Sequence, residues 1–223
     1  MLSSALLAVL VAANGAGIET SAGSRSVVSG EWTITWTEDV GRATRGKGRP
    51  VVLWDQAEDE GCDTSRSGRV LSVVGTLVSF EIEEGGLCEG AAHSFASHRF
   101  RVVDLARGAE PEGSAVSLYE LFDRRDVQRA LAADPFLRQH PEGKDWESDC
   151  GFTIQGFEYS FAFHHVHGDT VAVRVGLTHG CEVARGNLTV LGIVLKPRRD
   201  FLAQLKAAEN AGTLMDRLQR RRQ

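Results

Sequence analysis

Apolar and polar residues alternate most regularly late in the chain. Phe157, Tyr159, Phe161 and Phe163 fall on one side of an extended segment, and Glu158, Ser160 and Ala162 on the other. A period of two marks a half-buried strand, so a strand is predicted over 152–166. Gly168-Asp169 is a tight-turn dipeptide, and Val171, Val173 and Val175 carry the alternation back through a partner strand over 170–177. An apolar strand follows over 187–195, ended by Pro197. Asp200 then opens a helix with Phe201, Leu202 and Leu205 on one side, and Leu214, Met215 and Leu218 extend that apolar pattern past Gly212.

Earlier, Trp32, Ile34 and Trp36 share one face of a predicted strand, and Val51–Trp54 is a short apolar one. The Gly- and Arg-rich stretch 41–50 between them reads as a loop. Two more strands are predicted over 70–74 and 76–82, split at Gly75, which marks a bulge. A turn is predicted at Glu83-Glu84-Gly85-Gly86, and a further strand over 98–105. Residues 118–122 and 126–133 read as helices, the second with Asp126 as its N-cap. Pro135 and Pro141 bracket a loop. Strands and helices are segregated rather than alternating, so the class expected is α+β, with a mixed, mostly antiparallel sheet and packed helices. One such domain spans 31–210. A signal peptide is expected over 1–22, a linker over 23–30 and a basic tail over 211–223.

The signal-peptide expectation comes from Leu2–Ala13, an apolar run of signal length that is too short to span a bilayer as a helix. The triplets Ala13-Asn14-Gly15 and Thr20-Ser21-Ala22 each offer the small residues a signal peptidase wants. No Lys or Arg precedes the run. The four cysteines, Cys62, Cys88, Cys150 and Cys181, include no CxxC pair, which argues against a zinc ribbon or a dithiol redox site. In an exported chain they suggest two disulfides. Of the three connectivities, Cys62 with Cys88 and Cys150 with Cys181 are preferred, because each pair flanks a predicted hairpin.

Charge excludes one class of partner. Twenty-five basic and 30 acidic residues leave a net charge of −5, and phosphate binding needs a clustered positive surface. The only basic cluster, Arg217 with Arg220–Arg222, reads as a solvated helix end, so no nucleic-acid partner is expected. The acidic stretch Asp55, Glu58, Asp59, Glu60 and Asp63 lacks the order of a calcium loop. The sequon Asn187-Leu188-Thr189 falls in a predicted strand.

Candidate chemistry is sparse. GxSxG, HExxH, phosphate-binding and dinucleotide-binding signatures are all absent, and no catalytic residue is assigned. His165 and His167 point to one face of the late strand, a spacing that can chelate zinc or copper. A third ligand has to come from elsewhere, such as His93, His98 or an acidic side chain, because the turn at Gly168-Asp169 carries His179 toward Glu158. Otherwise no cofactor is expected.

Three short motifs carry a family resemblance. They are Gly85-Gly86 with Ala91-Ala92-His93, then the strand Arg99–Leu105 running into Ala106-Arg107-Gly108, then Ser117–Phe122. Together with Phe152-Thr153-Ile154, Tyr159–Phe163 and Val171–Val175 they resemble a bacterial extracytoplasmic domain. That domain occurs in lysozyme-sensing anti-sigma factors and beside the catalytic domains of some peptidoglycan deacetylases. The resemblance covers about residues 70–196, with Cys88 interrupting the glycine–histidine segment. It implies a mixed sheet with packed helices, a role in ligand or protein binding in the cell envelope, and no catalytic residues. The expected function is therefore an exported, periplasmic or secreted binding or sensing module, whose partner is an envelope glycan or a lysozyme-like protein. A metal-dependent hydrolase using His165 and His167 is one alternative, and a structural envelope protein the other.

Overall fold

The computed structural model describes residues 18–21, 23–56, 61–108, 114–140, 152–153, 156–179 and 187–220. Its first unit is an antiparallel meander of β1 (Ile18–Ser21), β2 (Ser24–Ser29), β3 (Trp32–Trp36), β4 (Gly41–Arg45) and β5 (Val51–Trp54), paired in chain order. Two expectations are corrected here. Residues 23–30 are not a linker: Val27 of β2 is fully buried and pairs with Ile34. Residues 41–45 are not a loop either. Gly41 and Ala43 face the core opposite Trp36 and Ile34, Arg42 between them faces out, and Arg45 is exposed at the strand end. The inward positions hold such small residues that the alternation is hard to see in composition. β1 pairs with β2, so a cut after Gly15 would keep it and a cut after Ala22 would remove it. The remainder of the expected signal peptide lies outside the described residues.

The second sheet is built from β6 (Cys62–Val74), β7 (Leu77–Cys88) and β8 (Phe95–Asp104). Gly75 makes a hairpin turn rather than a bulge. Its φ of 59° lies in the left-handed region, which glycine enters without steric cost. The register shift instead falls between Val70 and Ser72. Glu83–Gly86 form no turn and continue β7, because Arg66 and Ser67 on β6 offer polar cross-strand partners to Glu84 and Glu83.

Val78, Phe80 and Ile82 project from one face of this sheet and pack with Ile34, Trp36, Ala43 and Leu53 of the meander. Trp54 stacks on Phe80 with ring centroids 5.6 Å apart. Its indole fills the space above both Gly41 and Gly68, where a Cβ would sit 2.3 and 2.5 Å from it.

The third sheet comprises β9 (Phe152–Thr153), β10 (Phe161–His167), β11 (Thr170–His179) and β12 (Leu188–Leu195), with β11 central. The single strand predicted over 152–166 is broken. Thr153 pairs with Thr178 and Phe161 with Val175, so the first strand has more residues than its partner between these rungs. The surplus coils into a 3-10 turn at Phe157–Tyr159. The Gly168-Asp169 turn forms as expected, with His167 opposite Thr170.

α1 (Leu118–Leu121), α2 (Arg124–Ala133), α3 (Pro135–Gln139), α4 (Arg199–Ala211) and α5 (Met215–Arg220) complete the fold. Every sheet pairing among the described residues is antiparallel, and the α+β class stands. The N-cap of α2 is Asp123, not Asp126: its carboxylate accepts from the Arg125 and Asp126 N–H groups. Pro135 begins α3 rather than a loop, since proline suits the first helical turn. Residues 211–220 are not a free tail. Gly212, at φ 72°, ends α4. Val73 N–H then donates to the Thr213 carbonyl and the Thr213 hydroxyl donates back to the Val73 carbonyl, and Leu214, Met215 and Leu218 are buried. Residues 221–223 lie outside the described set.

Cys62 and Cys88 form a disulfide across the β6–β7 pair, as expected. Cys150 and Cys181, the second expected pair, lie outside the described residues. No helix among the described residues is long and apolar enough to cross a membrane.

The motif residues after β8 form one connected unit. Asp104 accepts from the Ala106 N–H and the Thr76 hydroxyl. Arg107 reaches Glu120 at 2.5 Å, and Glu120 closes a capping box with Ser117. The hydrogen bond from Arg107, then that from the Ser117 N–H, hold the Glu120 carboxyl below its ordinary value of 4.5. A carboxylate with a depressed folded pKa contributes stability that is fully present above the unfolded value and lost as pH falls through the folded one. The urea midpoint of the wild-type protein should therefore exceed that of Glu120→Gln at neutral pH, with the gap closing below pH 4.5. A gap that stays constant down to acid pH would show that the charge contributes nothing.

Candidate functional site

Strand register creates the most concentrated set of titratable groups. Arg69 stands opposite Glu81, Ser67 opposite Glu83, and Glu83 opposite His98. Because side chains alternate, all five share one face of the second sheet, the face away from Phe80. Glu81 is 4% exposed. Arg69 Nε donates to its Oε2, and His98 Nε2 lies 2.5 Å from its Oε1. His98 Nε2 is also 3.6 Å from Glu83 Oε1. Burial pushes the Glu81 carboxyl up, but the hydrogen bonds from His98 and Arg69 outweigh it and leave the group below its ordinary value. Glu81 is thus held as a carboxylate with both oxygens engaged.

Glu84, next to Glu83 along β7, carries a second network on the opposite face. Arg66 binds Glu84 and approaches Asp55 at 3.9 Å, while Arg99 lies 3.6 Å from Glu84. Desolvation raises the Glu84 carboxyl, and the Arg66 hydrogen bond brings it below the ordinary range.

A cleft of about 240 Å³ opens beside the first network, lined by Glu38, Ser67, Gly68, Arg69, Glu81 and Glu83. A neighbouring cleft of about 210 Å³ shares Glu38, Gly68 and Arg69 and adds Arg25, Trp36 and Thr37. The two together form a groove along β6 where it meets the turn after β3. Glu38 is anchored there by its backbone: its carbonyl accepts from Gly68 N–H at 2.8 Å and from Trp54 Nε1 at 3.1 Å. Its side chain remains exposed.

The late-hairpin histidines are arranged differently from expectation in one respect. A register shift between Phe163 and His165 displaces His164, and its Nδ1 lies 2.7 Å from His165 Nδ1. His165 and His167 flank Val166, which packs against the core. Among the described residues the one group of three or more ligating side chains is Glu81, Glu83 and His98, not a group containing His165 and His167. His98, named from sequence as a possible third ligand for that pair, stands instead with Glu81 on β8's own sheet. His93 lies in the connection between β7 and β8. His179 pairs with Phe152 in the backbone ladder.

Sequence reasoning did not single out Arg69, Glu81, Glu83 or Glu38. The available signal was Glu81-x-Glu83 on the polar phase of a strand whose other phase is Val78, Phe80 and Ile82. No family model, no curated protein and no solved structure matches the chain.

Proposed function

We propose that this chain is an extracytoplasmic binding module of the cell envelope that holds a glycan strand in the charged groove along β6. The observation that carries the reading is the groove's lining. Carboxylates and guanidinium groups meet there on rigid strands, with Arg69 already fixed by Glu81. Preorganised polar groups suit a hydroxyl- and amide-rich ligand, which offers donors and acceptors but little apolar surface. The apolar N-terminal run, the Cys62–Cys88 disulfide and the resemblance over residues 70–196 support the extracytoplasmic part of the reading.

Co-sedimentation with purified peptidoglycan tests it, with lysozyme-coated beads as a parallel arm. The native protein should be retained by peptidoglycan. The double variant Arg25→Ala/Glu38→Ala removes two groove side chains without touching the Glu38 backbone contacts, and should bind about tenfold more weakly or worse. Retention no better than that of heat-denatured protein, or unchanged binding by the double variant, would overturn the glycan assignment. Retention on lysozyme alone would transfer the ligand to a protein.

A further inference from the structure

We propose that Glu81, Glu83 and His98 form a divalent-cation site of the zinc class at the edge of the groove. One imidazole nitrogen and two carboxylate oxygens lie within 4.8 Å of one another. All three sit on β7 and β8, in a continuous antiparallel register from Leu77–Asp104 to Gly86–Phe95, so the backbone fixes their spacing. A mixed nitrogen and oxygen set of three suits zinc, whereas calcium takes six to eight oxygens.

The required movement is small. Metal–ligand bonds of about 2.0–2.1 Å in tetrahedral geometry put neighbouring donors about 3.3 Å apart. His98 Nε2 already lies 2.5 Å from Glu81 Oε1 and 3.6 Å from Glu83 Oε1. The metal would replace the hydrogen bond between His98 Nε2 and Glu81 Oε1, taking the Nε2 lone pair of the neutral imidazole with the ring proton on Nδ1. Arg69 engages the other Glu81 oxygen, Oε2. It is a positioning residue, orienting the carboxylate as outer hydrogen-bond partners orient metal ligands. The two carboxylates outweigh the one guanidinium, so the cluster offers a net negative charge to the cation. Exposure is graded across the set, with side chains 5% exposed at Glu81, 19% at His98 and 61% at Glu83. Glu81 and His98 are thus sheltered while Glu83 is exposed, and both carboxylates line the cleft, so a fourth position would open toward it, as in non-structural zinc sites. The inference does not depend on the glycan reading, since it concerns affinity for the metal alone.

The test is calorimetric titration of metal-free, oxidised protein with zinc chloride. One equivalent should bind. Glu83→Gln and His98→Gln should each weaken binding about tenfold or more, while His165→Ala/His167→Ala should leave it unchanged. Glu83 is exposed enough that its glutamine variant should fold as the parent does, checked by circular dichroism, and it decides the question if the His98 variant does not fold. Failure to take up zinc, or affinity unaffected by Glu83→Gln, overturns the site. Loss of binding in the His165/His167 variant with retention in Glu83→Gln would place the metal at the late hairpin and equally overturn it.

Discussion

Replacing Phe163 with alanine is expected to lower unfolding stability by about 3–5 kcal/mol, the range for deleting a buried phenylalanine ring from a packed core. Phe163 is fully buried. Its ring meets Phe161 edge-on at 5.5 Å and Phe201 of α4 at 5.5 Å. Its N–H donates to Ser72 Oγ on β6 at 3.2 Å. One residue therefore ties the third sheet to both α4 and the second sheet, and the surrounding elements cannot all close on the cavity at once. Equilibrium urea unfolding measures the loss. Val194→Ala, on an outward position that is 62% exposed, serves as the control and should change stability by no more than about 0.5 kcal/mol. A Phe163 effect as small as the control's would mean that this sheet does not share a cooperative core with its neighbours.

The same residue shows why some of the fold was legible. Phe161 and Phe163 stand in a run whose apolar phase is unmistakable, and the facing valines of β11 repeat it, so the hairpin and its turn follow from pattern alone. β4 shows the opposite case. Its inward residues are Gly41 and Ala43, and at Gly41 the Trp54 indole occupies the space any side chain would need. That demand comes from the facing rung of the next strand, where Trp54 pairs with Gly41, and the residues of β4 themselves contain no trace of it. The C-terminal segment is similar. Leu214, Met215 and Leu218 look like the end of a helix, but Gly212 stops α4 and Thr213 pairs with Val73, a partner 140 residues away. The candidate site belongs to this second class. Glu81 and His98 are each ordinary polar residues in an alternating strand. Only the β7–β8 register, which sets Glu83 beside His98 and leaves Glu81 on the diagonal, converts them into a cluster.

That register depends in turn on the β6–β7 ribbon, and here the disulfide should have a large effect. The double variant Cys62→Ala/Cys88→Ala is expected to lose about 3–4 kcal/mol, because the bond closes a loop with a sequence separation of 26 in the unfolded chain. The native side of the balance offers little compensation near the cross-link. From Cys62 to Arg69 the residues of β6 are exposed or half-buried, whereas Val70 to Val74 are buried. The outer ribbon thus has few apolar contacts of its own and relies on the covalent rung beyond them. Urea unfolding should register the global loss. Amide exchange should show more: in the variant, residues 62–67 and 83–88 should lose protection before Val70–Val74 and Leu77–Ile82 do. Glu83 lies in the segment expected to fray and Glu81 in the segment expected to hold, so loosening of the ribbon would separate two members of the cluster. If both segments exchange as slowly in the variant as in the parent, cross-strand pairing such as Arg66–Glu84 holds the ribbon unaided, and the disulfide is dispensable to the site.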